Sequence, residues 1–284
     1  MQKIWVCGAR GQIGQAVNDV VDKLEFEMLD TDVDDLDVTD TDEVLRFGEM
    51  NRPDIIINCS GMTDISSCEE NPSQAFKVNA LGARNLAIVA AKMQAKMVQL
   101  STDDVFDGKS TEPYTEFDIT NPGTVYGKSK LAGENYVKEF TTKHFIVRST
   151  WVYGKGQNFI NGFLKKVDAG EQLSIASDQF GSPSANELAR FLLHLVHTSE
   201  YGTYHATNKG VCSRYAFAQE ILKMTGKTAS MQPVPTVMSD FSKVRPAYAV
   251  LDNFIMSMVP IYDFPDWQDS LREYLEERGL YHAE

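Results

Sequence analysis

The stretch Lys3-Ile4-Trp5-Val6-Cys7-Gly8-Ala9-Arg10-Gly11-Gln12-Ile13-Gly14-Gln15-Ala16-Val17 decides the fold of this chain. An apolar, β-rich run leads into three glycines, and a run with helical spacing of apolar residues follows them. A strand, a glycine turn and a helix in this order are the context in which such a turn binds a dinucleotide. The glycines permit a tight turn and close approach of a pyrophosphate, and the helix N-terminus offers it free N–H groups and a positive dipole end.

A second apolar stretch, Phe26-Glu27-Met28-Leu29, ends at Asp30. An acidic residue about 20 positions beyond the turn is placed to hydrogen-bond the adenosine ribose. Arg10, as a cation at the turn, would favour a 2′-phosphate there, whereas Asp30 would repel one. NAD and NADP therefore both stay open as cofactors. We interpret the acidic run from Asp30 to Asp35 as a solvated loop, because its spacing does not match that of calcium-binding loops.

Tyr126 and Lys130 lie four residues apart in Val125-Tyr126-Gly127-Lys128-Ser129-Lys130-Leu131-Ala132-Gly133-Glu134. A helix places such positions on one face, with Cβ atoms about 5–6 Å apart. A neighbouring ammonium favours phenolate, so we expect the tyrosine pKa to fall from about 10 toward neutral pH, where a general acid is most effective. Upstream, an apolar run ends in the hydroxyls of Ser101 and Thr102. Together with the glycine turn, these residues indicate acid–base chemistry beside a dinucleotide.

Strands alternate with helices along the first half of the chain. Predicted strands cover 3–7, 25–29, 54–59, 96–101 and 144–149. Predicted helices cover 12–24, 41–50, 73–93 and 124–139, followed in the second half by 158–168, 184–198, 213–224 and 266–278. This order predicts an α/β fold, a doubly wound parallel sheet of the Rossmann type with helices on both faces. Ligands bind at the rim where the C-terminal ends of such strands meet.

The chain is predicted to divide into two regions. Residues 1–152 would form an NAD(P)-binding Rossmann domain, to which the chain returns around 182–200. Residues 153–284 would form mainly a smaller C-terminal α+β substrate-binding region. The proline-containing segment from about 228 to 265 is expected to hold turns and short strands, because proline cannot donate to a β-ladder.

Composition excludes several classes of function. The chain has 284 residues, a formal net charge of −13 and no basic cluster, so nucleic acid is not an expected partner. No apolar stretch approaches the roughly 20 residues that cross a bilayer, and no leader pattern precedes the first strand. We therefore expect no membrane association. The four cysteines show neither paired nor metal-ligand spacing, so we expect reduced thiols, no metal site and a cytoplasmic location.

The chain resembles the extended short-chain dehydrogenase/reductase family and, more closely, the dTDP-4-dehydrorhamnose reductases. The resemblance runs nearly end to end. Besides the glycine turn and the Tyr126–Lys130 segment, the matching motifs are Leu36-Asp37-Val38-Thr39-Asp40, Arg52-Pro53-Asp54, Ser101-Thr102-Asp103-x-Val105-Phe106-x-Gly108, Arg148-Ser149-Thr150-Trp151-Val152-Tyr153-Gly154, Asp178-Gln179-Phe180-Gly181-Ser182-Pro183 and Arg245-Pro246. The tyrosine–lysine pair is typical of the whole superfamily, whereas the Trp151 and Asp178 motifs are more specific.

This resemblance implies hydride transfer from NADPH or NADH to a nucleotide-linked 4-keto-6-deoxy sugar. It implies that Tyr126 protonates the developing alkoxide, that Lys130 holds a cofactor ribose, and that Thr102 hydrogen-bonds the keto oxygen. The residues implied around the cofactor are Gly8, Arg10, Gly11, Gln12, Ile13, Gly14, Asp30, Asp37, Val38, Gly61, Met62, Thr63, Tyr126 and Lys130. Those implied around the substrate are Ile65, Thr102, Asp103, Asp104, Trp151 and Arg245.

Three departures from the family pattern lie in or near the expected sugar pocket. Asp104 stands where the family usually has Tyr, Ser66 replaces an acid, and Ala247-Tyr248 replaces Asn-Ser. The chemistry is therefore expected to be kept, while the identity of the sugar nucleotide stays open. Two alternatives also stay open: a non-catalytic nucleotide-binding regulatory subunit on the same fold, and a sugar-nucleotide epimerase that retains its NAD. The assembly is open as well, with a homodimer as one candidate.

Overall fold

The computed structural model describes residues 1–177, 179–180, 184–235, residue 248 and residues 250–282. Its strands are β1 (Gln2–Cys7), β2 (Phe26–Thr31), β3 (Ile55–Asn58), β4 (Lys96–Thr102), β5 (His144–Ser149), β6 (Leu173–Ala176), β7 (Gln179–Phe180), β8 (Gly202–His205), β9 (Cys212–Ser213) and β10 (Met231–Val234). Its α-helices are α1 (Gln12–Val20), α2 (Thr41–Asn51), α3 (Ile65–Glu70), α4 (Pro72–Phe76), α5 (Ala83–Met93), α6 (Val125–Phe140), α7 (Phe159–Asp168), α8 (Ala185–His197), α9 (Arg214–Thr225), α10 (Phe254–Met258) and α11 (Trp267–Glu276).

A parallel sheet of six strands organises the fold, in the order β2-β1-β3-β4-β5-β8. The order reverses between β1 and β3, which is the switch point that defines a doubly wound sheet. All four residues of β3 are buried, as a central parallel strand covered on both faces requires. The predicted α/β class and the five predicted strands are therefore confirmed. The sixth strand, β8, was not predicted, because four residues are too short to show a period.

Helices cover both faces of the sheet. On one face α1 and α8 pack together over a core that includes Val17, Leu188 and Leu192. On the other face α2 and α5 bury Val44 and Leu86 against the sheet. Helix α8 thus brings a late part of the chain back onto the first sheet, because its apolar stripe has the helical period.

The remaining late elements surround a separate aromatic core. Strands β6 and β10 pair in parallel, β7 and β9 pair antiparallel, and α7, α9 and α11 contribute Phe163, Phe217 and Leu271 to the cluster. The predicted domain boundary at residue 152 stays a prediction. In the described part of the chain, no helix combines the length and apolar character needed to cross a membrane.

Candidate active site

The C-terminal ends of β1, β3 and β4 meet at one rim of the sheet. The turn after β1 touches the turn after β3, since a Cβ placed on Gly8 would lie 2.8 Å from the backbone nitrogen of Ser60. Thr102, at the end of β4, pairs in register with Ser149 of β5. Helix α6 crosses this rim and carries Tyr126. The rim is where ligands bind in open α/β sheets.

The glycine turn has no room for side chains. Gly8 has a φ of +76°, which favours glycine, and a Cβ on Gly14 would lie 2.4 Å from the Gly8 carbonyl oxygen. Helix α1 begins after Gly11 without a hydrogen bond from any described side chain to its first N–H groups. Its first turn also lacks an acidic residue. An N-terminus of this kind fits an anion such as a pyrophosphate.

Adding one methyl group to this turn should weaken cofactor binding. In Gly14→Ala the new Cβ meets backbone atoms of Gly8 and Ala9 that cannot move aside. We expect the affinity for NADH to fall by about tenfold or more. Gly162→Ala in α7 is the matched control, because a Cβ there meets nothing within 4 Å. Calorimetric titration with NADH checks this, and equal affinity of the two variants would contradict it.

Arg10 lies at this turn but is held by the acidic loop that follows β2. Its guanidinium pairs with Asp34 at 2.9 Å and with Asp35 at 2.5 Å. Its backbone N–H donates to Asp32 Oδ2 at 2.9 Å. The hydrogen bond from Arg10 holds the pKa of Asp35 below its ordinary value. Asp30 lies in β2 with an exposed side chain, and its contact with the adenosine ribose stays a prediction. Asp32, a carboxylate that the sequence analysis did not single out, accepts the Arg10 backbone N–H and so lies at the turn.

The other residues predicted around the cofactor lie along the same rim. The Gln12 side chain donates to the Gln157 carbonyl oxygen at 3.0 Å and thereby connects the turn to the loop before α7. Ile13 packs against the core beneath α1. Asp37 is exposed and accepts a hydrogen bond from the Thr39 backbone, whereas Val38 is buried.

Helix α6 presents Tyr126 and Lys130 on one face, and both are buried. Thr124 caps the helix by accepting a hydrogen bond from the Gly127 backbone at 2.9 Å. Tyr126 packs in a cluster that includes Ile65, the residue predicted to face the sugar. Burial lowers the pKa of Lys130 to about 8, although the Glu134 carboxylate acts in the opposite direction.

Asn79 fixes the loop that was predicted to line the cofactor channel. Its Oδ1 accepts from the Met62 backbone N–H at 2.8 Å, and its Nδ2 donates to the Met62 carbonyl at 2.9 Å and to Ser129 Oγ at 2.9 Å. Gly61 is thereby held against α6, since a Cβ placed on it would lie 3.8 Å from Lys130 Nζ. Thr63 follows and is exposed.

The segment that carries Asn79 is a π-helical turn, Lys77–Gly82, between α4 and α5. The sequence predicts a helix near 73–93, and the structure is helical from Pro72 to Met93, with this π-helical turn in its interior. The Asn79 carbonyl lies so close to α6 that a Cβ on Gly133 would approach it to 2.4 Å. Turns of this type occur frequently at functional sites.

Thr102 closes β4 and begins a short 3₁₀ turn, Asp103–Val105. Its Oγ1 donates to Asp103 Oδ1 at 2.9 Å and accepts from the Asp104 backbone at 3.2 Å. All three side chains are buried. The hydroxyl therefore caps this turn, and a hydrogen bond from it to a substrate oxygen requires its proton to leave Asp103.

Glu134 forms a buried bidentate pair one helical turn beyond Lys130. Its carboxylate is 0% exposed and accepts from Arg148 Nε at 2.9 Å, from Arg148 Nη2 at 2.8 Å and from Ser101 Oγ at 2.5 Å. Burial alone would raise the pKa of Glu134, but the hydrogen bonds and charge of Arg148 outweigh it and keep the pKa below its ordinary value. This pair joins α6 to β4 and β5, and so fixes the helix that carries Tyr126.

Trp151 was also predicted to face the sugar. It follows β5 and is half-buried. The Arg214 guanidinium carbon lies 3.0 Å from the centroid of its indole ring and 5.1 Å from that of Phe159. Arg245 lies outside the described residues, as do Ala247 and part of the motif that begins at Asp178.

A family model described as the RmlD substrate binding domain matches residues 1–279. The chain belongs to this family. The match confirms the resemblance to the dTDP-4-dehydrorhamnose reductases that the motifs indicated, and it spans both the glycine turn and the late aromatic core.

Individual relatives of the chain agree with this assignment. The spore coat polysaccharide biosynthesis protein SpsK of Bacillus subtilis is 35% identical over 281 residues, which cover 98% of this chain and 99% of SpsK. A crystal structure of a dTDP-4-dehydrorhamnose reductase from Clostridium acetobutylicum superposes with a TM-score of 0.94 at 39% identity, covering 98% of this chain and 100% of that one. A dTDP-4-dehydrorhamnose reductase from Bacillus anthracis in complex with NADP gives a TM-score of 0.94 at 33% identity, with the same coverage.

Proposed function

We propose that this chain is an NAD(P)H-dependent oxidoreductase that reduces the ketone of a nucleotide-linked 4-keto-6-deoxy sugar. It would act as a dTDP-4-dehydrorhamnose reductase, in the biosynthesis of dTDP-L-rhamnose. The observation that carries the proposal is the buried pair Tyr126 and Lys130 on α6, next to the loop at Gly61 and on the same rim as the glycine turn. The names of the Clostridium acetobutylicum and Bacillus anthracis relatives support the substrate class.

The proposed reaction divides the work among few groups. The reduced nicotinamide, when bound, supplies a hydride to the carbonyl carbon. Tyr126 gives its phenolic proton to the carbonyl oxygen, so the ketone becomes a secondary alcohol and the phenolate regains a proton from solvent. Lys130 holds a cofactor ribose and its charge stabilises the phenolate. Thr102 would orient the carbonyl oxygen as negative charge builds on it.

Substrate contacts belong to the same proposal. Ile65 beside Tyr126, Asp103 and Asp104 after Thr102, and Trp151 after β5 would line the sugar. Arg245 lies outside the described residues and stays a predicted substrate contact. Asp104 is buried where the related reductases usually have Tyr, so it is the residue with which we associate sugar choice. A homodimer and a cytoplasmic location stay predictions.

The protonation state of Lys130 should set the alkaline limit of activity. Its pKa is lowered to about 8 by burial, so its ammonium is present below that pH and is lost as pH rises through it. We expect kcat/KM to fall above about pH 8 in the wild type, because kcat/KM reports groups of the free enzyme. Lys130→Arg keeps a charge that does not titrate, so its alkaline limb should lie at higher pH. Lys128→Arg, exposed on the same helix, is the control, and an unmoved limb in Lys130→Arg would show that another group titrates.

Cofactor stoichiometry separates the proposal from its two alternatives. A reductase consumes one reduced cofactor for each sugar converted, an epimerase converts sugar without net consumption, and a regulatory subunit binds cofactor without converting sugar. The purified chain is mixed with dTDP-4-keto-6-deoxy sugar and either NADH or NADPH, and oxidised cofactor and sugar product are both quantified. Conversion without cofactor consumption would replace the reductase by an epimerase. Absence of conversion with either cofactor would leave only the regulatory role.

A further inference from the structure

The acidic loop after β2 bears on which cofactor this site takes, and the inference rests on the proposed function. We propose that Asp32, together with an Arg10 that is held by Asp34 and Asp35, makes this chain select NADH over NADPH. The loop is a part of the rim that the sequence left ambiguous, because Arg10 and the carboxylates favour opposite cofactors.

Asp32 is fixed at the glycine turn by backbone hydrogen bonds. The Thr31 carbonyl accepts from the N–H groups of Gly8 at 2.9 Å and Ala9 at 3.1 Å. The next N–H of the turn, that of Arg10, donates to Asp32 Oδ2 at 2.9 Å. The carboxylate therefore stands at the end of β2, the position from which an acid hydrogen-bonds the ribose 2′-hydroxyl of NAD. Asp30 pairs with Val6 inside the sheet, roughly 7 Å further back along the strand.

Arg10 is turned away from that position. Its two terminal nitrogens reach Asp34 and Asp35, and Asp35 also accepts from the Asp32 backbone N–H at 3.1 Å. The loop is thus closed on itself around the guanidinium. The charge of Arg10 is already balanced by two carboxylates, so Arg10 attracts a 2′-phosphate much less strongly than an unpaired arginine would.

The charge balance at the loop is negative. The loop carries three carboxylates and one guanidinium, which gives a net charge of 1 − 3 = −2: Asp34 and Asp35 pair with the Arg10 guanidinium, whereas Asp32 accepts from the backbone N–H groups of Arg10 and Val33. A phosphate monoester adds a further charge of about −1.5 to −2 at neutral pH. The 2′-hydroxyl of NADH can instead donate to Asp32 without bringing charge. Arg10 is 55% exposed, so its ion pairs are weak individually, and it is the unneutralised Asp32 that decides the preference.

Equilibrium titration of the cofactor-free protein with NADH and with NADPH tests the proposal without turnover. We expect the wild type to bind NADH about tenfold more tightly or better. Asp32→Asn removes one charge at constant shape, so the affinity for NADH should fall and the affinity for NADPH should rise. The dissociation constant of NADPH divided by that of NADH should therefore fall by about tenfold. The double variant Asp34→Asn/Asp35→Asn releases the Arg10 guanidinium, so the affinity for NADPH should rise more than the affinity for NADH.

Glu49→Gln is the control for net charge, because Glu49 pairs with Lys92 near the end of α2 that precedes β3, at the other rim. It should leave the ratio unchanged. A wild type that binds NADPH as tightly as NADH, or a ratio that is equal in the wild type and both aspartate variants, would overturn the proposal. Failure of the proposed function would give a different result: bound NADH would stay unconsumed with every ketosugar. The ratio of the NADH and NADPH dissociation constants could still be measured in that case, so the two failures are distinguishable.

Discussion

The variant Tyr126→Phe should lose activity by about 10²–10⁴ in kcat, the usual contribution of general acid catalysis. The change removes one hydroxyl from a ring that packs against Ile65, Cys68 and Ala75, so the apolar contacts of α6 are kept. Without the hydroxyl, the developing alkoxide has to take its proton from water. Initial rates of the variant and the wild type, measured with saturating ketosugar and NADH, give the change in kcat.

Two controls make this result specific to the proton. Calorimetric titration with NADH should show that cofactor binding survives, because Lys130 is proposed to hold the nicotinamide ribose and the glycine turn to hold the pyrophosphate. Tyr136→Phe, a half-buried tyrosine on the same helix, should leave kcat unchanged. A Tyr126→Phe variant within about twofold of the wild type would assign the proton to another group.

Arg148→Met should cost about 3–5 kcal/mol of stability, the largest structural effect we expect of a single substitution. Both partners of the Glu134–Arg148 pair are buried, and their bidentate geometry also engages Ser101. Removing the guanidinium leaves the Glu134 carboxylate inside the protein with Lys138 as a cation at 3.7 Å. Urea unfolding followed by circular dichroism measures the change in the free energy of unfolding.

A surface pair and a double variant calibrate that value. Arg272→Met breaks an exposed pair with Asp269 and should cost no more than about 1 kcal/mol. Glu134→Gln/Arg148→Met should recover part of the loss, because the buried charge is removed along with its partner. If Arg148→Met costs as little as Arg272→Met, the pair does not anchor α6, and the positioning of Lys130 must be explained by the contacts of Asn79 alone.

Local signals account for what the sequence predicted correctly. The glycine turn, the buried strand β3 and the spacing of Tyr126 and Lys130 are all visible within short windows, and five of the six strands of the observed sheet were predicted. The residues that were missed depend on tertiary structure. Asn79 bonds a backbone 17 positions away, and Arg148 meets a carboxylate 14 positions away on another element.

The cofactor loop shows why strand registry matters for site predictions. Counting residues from the glycine turn points to Asp30, which ends an apolar stretch. The sheet register pairs Asp30 with Val6 and Thr31 with Cys7, so β2 runs one residue beyond Asp30, and the Arg10 N–H of the turn donates to Asp32. The ribose contact of Asp30 stays a prediction, and Asp32 is the residue that we propose for it. A shift of this kind is invisible in the sequence, because the end of a parallel strand is set by its neighbour.

Transfer of isotope from the cofactor to the sugar tests the central claim most directly. The chain is incubated with a dTDP-4-keto-6-deoxy sugar and NADH that carries deuterium at the transferable position of the nicotinamide, and the product is examined by mass spectrometry and NMR. Hydride transfer with protonation by Tyr126 predicts one deuterium on the former carbonyl carbon, a hydroxyl on that carbon and one NAD⁺ formed for each sugar reduced. A sugar product without deuterium, or cofactor that is bound and never oxidised, would contradict the account.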